Sequence, residues 1–208
     1  MKPKLPAALL LLYLTHFATL AVHPYDRGVW FVENLPVVLI VGALAVTYRW
    51  FRFSNAAYLL MSVFVFLHTI GGHYTFERVP FDWVTQWIGA RRNHFDRVAH
   101  FSVGFYAYAI AEFVERRQLS RSRWLTALFA VCAIGTVALG YEIFEWRYAV
   151  QADPTAGIAV LGSQGDPWDA QEDMLADTLG AIAAILVYFA AHRFARIPEP
   201  TSPARDAV

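Results

Sequence analysis

The sequence predicts an all-α, polytopic membrane protein, a bundle of six transmembrane helices with both termini in the cytoplasm. Three observations lead there. Of its 208 residues 57% are hydrophobic and only 16% charged, where a soluble domain carries about a quarter charged residues. Six apolar runs have roughly the ~17–25 residues an α-helix needs to cross a hydrocarbon core ~30 Å thick. The basic residues also favour alternate loops, as they do when Lys and Arg are retained on the cytoplasmic side.

The first run is Leu5–Val22, preceded by Lys2 and Lys4. Those features also describe a signal peptide. The run is long for a signal peptide's apolar region, and "TLAVHPYD" is a poor small-residue cleavage site, so an uncleaved helix is the preferred reading. The second run is Phe31–Thr47, the third Ala56–Gly72, the fourth Asp96–Phe113, the fifth Trp124–Phe144 and the sixth Asp169–Ala191. Residues 1–195 form one transmembrane domain on this reading, and the Pro-rich polar tail 196–208 is predicted to be a disordered cytoplasmic segment. The loop "ERRQLSRSRW" marks the cytoplasmic side most clearly, with Arg116, Arg117, Arg121 and Arg123; Arg49, Arg52, Arg193 and Arg196 fall on the same side. Loops 23–30, 73–95 and 145–168 then face outward.

Formal net charge is zero and there is one cysteine, Cys132. The first gives no reason to expect a nucleic acid partner. The second excludes an intrachain disulfide and a CxxC zinc site.

The outward half collects the unusual residues. Asp166, Asp169, Asp173 and Asp177 are spaced three, four and four apart, which at ~100° per residue is one stripe of a helix. Asp177 lies ~12 Å deeper than Asp169 at 1.5 Å per residue. On the fourth helix Asn93, Asp96, Arg97 and His100 share a face that Gly104, Ala107 and Ala111 continue, and such small residues permit close helix contact. Glu142 and Glu145 share a face of the fifth helix, and the third carries His68 and then His73. An ionised group at mid-bilayer costs at least ~2.5–3.5 kcal/mol, so these residues should turn inward and meet. The expectation is a polar cavity open to the outer side, lined by His68, Asp96, His100, Glu142, Glu145, Asp173 and Asp177.

So many acids need a countercharge. Imidazole with carboxylate and no thiolate suits a divalent metal ion such as zinc, iron or manganese. The predicted ligands are His100, Glu142, Glu145, Asp173 and Asp177, with His68 and Asp96 each a ligand or a partner of one. The Glu-x-x-His spacing of helical di-metal bundles is missing, so two metals are not expected. Simpler readings stand beside these. Asp173 and Asp177 can be bonded to Arg97, Asn93 or Tyr141 with no metal. Asp166 suits a turn and Asp169 a helix cap. His16 suits packing, Arg91 and Arg92 suit the interface, and Trp30, Trp83, Trp87, Trp146 and Trp168 suit an aromatic belt.

The stretches "HTIGGHYTF", "RNHFDRVAHF", "GYEIFEW" and "GDPWDAQEDMLADTLGA" resemble the motifs of the YjdF-like family, known only as a domain of unknown function. The resemblance covers about helices two to six. It implies a small polytopic protein of the bacterial inner membrane and carries no activity with it.

For function, the residues point first to a metal-dependent hydrolase acting on a lipid or lipid-linked substrate from the outer leaflet. Glu142, Glu145 or Asp177 would act as general base and a histidine, His68, as acid. Membrane lipids are then its expected partners. A proton- or metal-ion transporter is the first alternative, because intramembrane Asp, Glu and His also mark ion paths. Against it, the ionisable residues stop halfway and no inverted repeat is visible. A structural or regulatory membrane subunit, its polar core fixing helix register, is the second.

Overall fold

In a computed structural model, residues 4–87, 89–151 and 163–193 are described. The tail 196–208 and residues 152–162 of the loop 145–168 lie outside the described residues. Every regular element among the described residues is helical: α1 (Lys4–Leu20), α2 (Arg27–Thr47), α3 (Asn55–Tyr74), α4 (Asp82–Trp87), α5 (Phe95–Val103), α6 (Tyr106–Arg116), α7 (Arg123–Gln151) and α8 (Asp169–Ala191), with one 3₁₀ turn at Ser163–Gly165. By length and composition α2, α3, α7 and α8 can each cross a membrane, and α1 is a shorter apolar helix. Several boundaries differ from the sequence reading: α2 begins at Arg27, inside the expected loop 23–30, and α4 lies in the expected loop 73–95. The fifth run continues past Phe144 as α7 to Gln151, and the fourth run is divided into α5 and α6.

The division has a packing cause. Across Gly104 and Phe105 the bonds tighten to the i→i−3 pattern, with Phe105 N donating to Ser102 O at 3.1 Å, Ala107 N to Gly104 O at 3.0 Å and Tyr108 N to Phe105 O at 3.2 Å. Such 3₁₀ stretches inside helices go with local strain. Here the chain lies directly against α8: a Cβ built on Gly104 would stand 2.2 Å from Ala181 N, and one on Gly180 1.9 Å from Phe101 O. The small-residue core extends the same contact, with Ala107, Ala111, Ala181 and Ala184 buried beside Tyr108 and Tyr188.

Polar bonds fix the ends of the bundle. Ser54 caps α3 by accepting from Ala57 N at 3.2 Å, and its own N and Oγ donate to Glu112 at 2.8 and 2.7 Å. Arg116 completes the group by donating to Glu112 at 2.6 Å. Removing a serine cap costs about 1 kcal/mol. Ser54→Ala should therefore lower the thermal midpoint of the detergent-solubilised protein by a few degrees, and Ser54→Thr should restore most of it. Unchanged midpoints would show that the cap contributes nothing.

The helices form an uneven bundle. α8 packs against α5, α6 and α7, and α3 packs against α5 and α6, while α1 and α2 lie on the far side of α3. Between α2 and α7 this arrangement leaves a gap floored by α3 and α6, a cavity of ≈ 580 Å³.

Candidate functional site

Two helices bring their acids and bases together because α5 and α8 approach so closely. Asp169, Asp173 and Asp177 fall on the face of α8 turned toward α5, and all three are buried. From α5, Arg97 reaches across them: Nη2 donates to Asp169 Oδ1 at 2.6 Å and Nη1 to Asp173 Oδ1 at 2.5 Å, while Nε donates to Glu172 Oε2 at 3.2 Å. Arg92 binds Asp166 and also Asp169, the latter at 3.0 Å. Below the guanidiniums sits His100. Its Nδ1 is 3.3 Å from Asp177 Oδ2, and its Nε2 is 3.6 Å from Asp173 Oδ1 and 3.7 Å from Asp96 Oδ1. Asp96, His100 and Asp173 each offer one ligand atom, and these atoms lie within 4.8 Å of one another.

A second group faces the first across Tyr141. His68 Nε2 is 2.9 Å from the backbone oxygen of Glu33, so the proton belongs on that nitrogen, and 3.4 Å from Glu33 Oε2. The Tyr141 hydroxyl donates to Glu33 Oε2 at 2.9 Å. The Tyr141 ring centre is 6.4 Å from each of the His68 and His100 rings. Glu142 and Glu145 are buried on α7. Glu142 is within electrostatic reach of His100, Asp96 and Asp177, and Glu145 of Glu33, Glu142 and His100. Within this group two carboxylate oxygens, Asp177 Oδ1 and Glu142 Oε1, are buried with no hydrogen-bond partner among the described residues; Glu115 Oε1, on α6, is a third and lies outside it. A buried polar atom without a partner costs ~1–3 kcal/mol, which makes these two the natural places for a further ligand.

All seven residues expected to line the cavity are thus gathered at one end of the bundle, but not in the form expected. The sequence predicts a polar cavity open outward. In the structure the seven are buried, and Arg92 and Arg97 lie over the acids at the end where α8 begins. The gap that does reach them is mostly apolar; of the seven, only His68, His100 and Asp177 line it, with Tyr141. The reason is electrostatic: a stripe of aspartates in a poor solvent draws in the nearest guanidiniums, which fill the space an aqueous mouth would need. Arg92 accordingly turns inward to an ion pair instead of serving only as an interface residue. Asp166 is a turn residue, accepting from Trp168 N at 2.9 Å. Asp169 does not cap α8, whose preceding residue Trp168 makes no side-chain cap; it binds the two arginines instead. His16 is a packing residue, 3.1 Å from Phe66 O. His73 lies outside the site, holding Leu20 O at 2.7 Å.

Glu33 escaped the sequence reading. The signal was present, an acid just inside the second apolar run at Phe31–Thr47, and the depth argument used for Asp177 applies to it equally. Of the three partners the metal-free reading allows Asp173 and Asp177, Arg97 binds Asp173, while Tyr141 binds Glu33.

Four long apolar helices around a buried ionic centre define an integral membrane protein that crosses the bilayer more than once. Residues 5–194 match the family model described as "Predicted membrane protein (DUF2238)", and the chain belongs to that family. It is 32% identical over 164 residues to the inner membrane protein YjdF of Escherichia coli (strain K12), a match covering 78% of either chain. Family, relative and helices together make it a multi-pass inner-membrane protein. No solved structure matches it.

Proposed function

We propose that this protein is a metal-dependent hydrolase of a lipid or lipid-linked substrate, with Asp96, His100 and Asp173 at the core of a divalent metal site. The single observation that carries the reading is the convergence of three ligand atoms, from two helices, within 4.8 Å. The partnerless oxygens of Asp177 and Glu142 support it, because they supply further hard donors in the same buried region. Zinc, iron and manganese all suit this imidazole–carboxylate set. A metal there would lower the pKa of a bound water and polarise a carbonyl or phosphoryl oxygen. Glu142 or Glu145 would take a proton as general base. His68, held by Glu33 and near Tyr141, is the candidate acid.

The topology proposed with this function has six crossings. α1 is the first and α5 with α6 together form the fourth; residues 1–195 make one domain. Both termini are cytoplasmic, supported by the arginines at the α2–α3 and α6–α7 turns. The site then lies in the outer half of the membrane, and the substrate arrives from the outer leaflet.

Elemental analysis of protein purified without chelator tests the site. About one divalent metal per chain is expected, lost in His100→Ala and in Asp173→Asn variants that remain folded. A metal-free wild-type protein would overturn the reading. It would instead favour a structural role, which one observation already supports: Arg97 gives Asp169 and Asp173 a partner without any metal.

A further inference from the structure

We propose that the gap between α2 and α7 holds the single acyl chain of a monoacyl glycerophospholipid, whose free glycerol hydroxyl donates to Asp177. This rests on the lipid-hydrolase reading and names its substrate class.

The shape comes first. The cavity of ≈ 580 Å³ is within the ~300–1,000 Å³ range of small-molecule sites. Its walls are apolar, with Ile40, Phe64, Ile110, Ile134 and Val137 among them, and its polar residues His68, His100, Tyr141 and Asp177 stand at one end. Along α7 it runs from Tyr141 to Phe129, twelve residues or ~18 Å at 1.5 Å per residue. One leaflet of a ~30 Å hydrocarbon core is about 15 Å deep, so the gap has the length of one lipid tail.

Access comes second. Phe129 and Val137, on the α7 wall, are 59% and 60% exposed, and α2 packs on α3. The gap therefore opens sideways, toward the apolar phase in which lipid tails already lie. A water-soluble substrate would cross that phase to enter, and an ion would find no Asp, Glu, His, Lys or Arg along the apolar length.

The polar end selects among lipids. Asp177 is 1% exposed, it lines the cavity, and its Oδ1 has no hydrogen-bond partner among the described residues. The proposed metal site is built on Asp96, His100 and Asp173; a carboxylate oxygen only accepts, so an occupant of the gap that satisfies Asp177 Oδ1 brings a hydrogen-bond donor. An ester oxygen cannot donate. A glycerol hydroxyl beside the ester of a monoacyl lipid can, at the depth where the tail begins. A diacyl lipid carries a second ester where the monoacyl lipid carries that hydroxyl.

The test is photolabelling of the full chain in lipid nanodiscs with lysophosphatidylethanolamine carrying a diazirine in mid-chain, mapped by mass spectrometry. Label is expected on Ile110, Ile134 and Val137, lost in Ala133→Trp, which fills the gap. Excess unlabelled lysophosphatidylethanolamine should displace it and diacyl phosphatidylethanolamine should not. Label spread evenly over lipid-facing residues such as Leu128 and Leu186 would overturn the proposal. So would label that survives Ala133→Trp, displacement by both lipids alike, or exclusion of the probe by another protein's helix. The wild-type map and competition decide the matter even if the variant misfolds. The labelling is run with chelator present, so its failure is separate from a failure to find metal.

Discussion

Arg97→Ala should be among the most destabilising substitutions in this chain, by about 3–5 kcal/mol, the usual effect of removing one partner from a buried ion pair. The basis is geometric. One guanidinium spans Asp169 at 2.6 Å and Asp173 at 2.5 Å, and it also reaches Glu172 at 3.1 Å. Its side chain is only 13% exposed, and that of Asp173 4%. Without it Asp173 is left beside Asp96 and Asp169 with His100 as the remaining base. Arg97→Lys should recover only part of the loss, because an ammonium is a single point of charge and cannot hold two carboxylates with a planar fork. Adding Asp173→Asn to Arg97→Ala should return some stability, since the residual buried charge is then removed. Thermal unfolding of these three variants in detergent checks this, and Asp173→Asn alone completes the double-mutant cycle. An Arg97→Ala midpoint equal to wild type would mean the network behaves as an exposed, screened one.

The aspartate stripe was legible because helical spacing is a local property. Asp169, Asp173 and Asp177 had to share a face once the sixth run was a helix, and the cost of burying them had to be met by other polar residues. His100, Asp96 and Arg97 followed by the same logic on their own helix. The long apolar runs were legible for a similar reason, since each satisfies its own backbone within one segment. What could not be read is what depends on two helices at once. The break between α5 and α6 follows from Gly104 meeting Gly180, and nothing in "HFSVGFYAYA" marks a helix end. The closure over the acids follows from Arg92 turning inward to join Arg97, where the sequence put Arg92 at the interface. The apolar gap is a space left where α2 leans on α3 instead of α7, and no residue pattern encodes a space. Glu33 is different in kind: it was available to the depth argument and lay too near the start of its run to attract it.

Gly180→Ala should separate α5 from α8 and disable the site together with the fold. The added carbon would stand 1.9 Å from Phe101 O and 2.9 Å from Phe101 C, both backbone atoms. No side chain can rotate to make room, so one helix must move. Overpacking costs ~1–3 kcal/mol even where side chains can adjust, and here the upper part of that range is expected. The displacement also falls where it matters. His100 precedes Phe101 directly, and Asp177 lies about one helical turn before Gly180, so the 3.3 Å approach of His100 Nδ1 to Asp177 Oδ2 opens as the helices part. On the metal reading the same variant should therefore lose bound metal even at temperatures where it remains folded. Gly140→Ala supplies the contrast on α7, where a Cβ meets nothing within 4 Å. There alanine's helix propensity, better than glycine's by about 1 kcal/mol, should leave the thermal midpoint unchanged or slightly raised. Equal midpoints for the two variants would show that the α5–α8 contact is looser than its geometry, and that the division of the fourth run has some other cause.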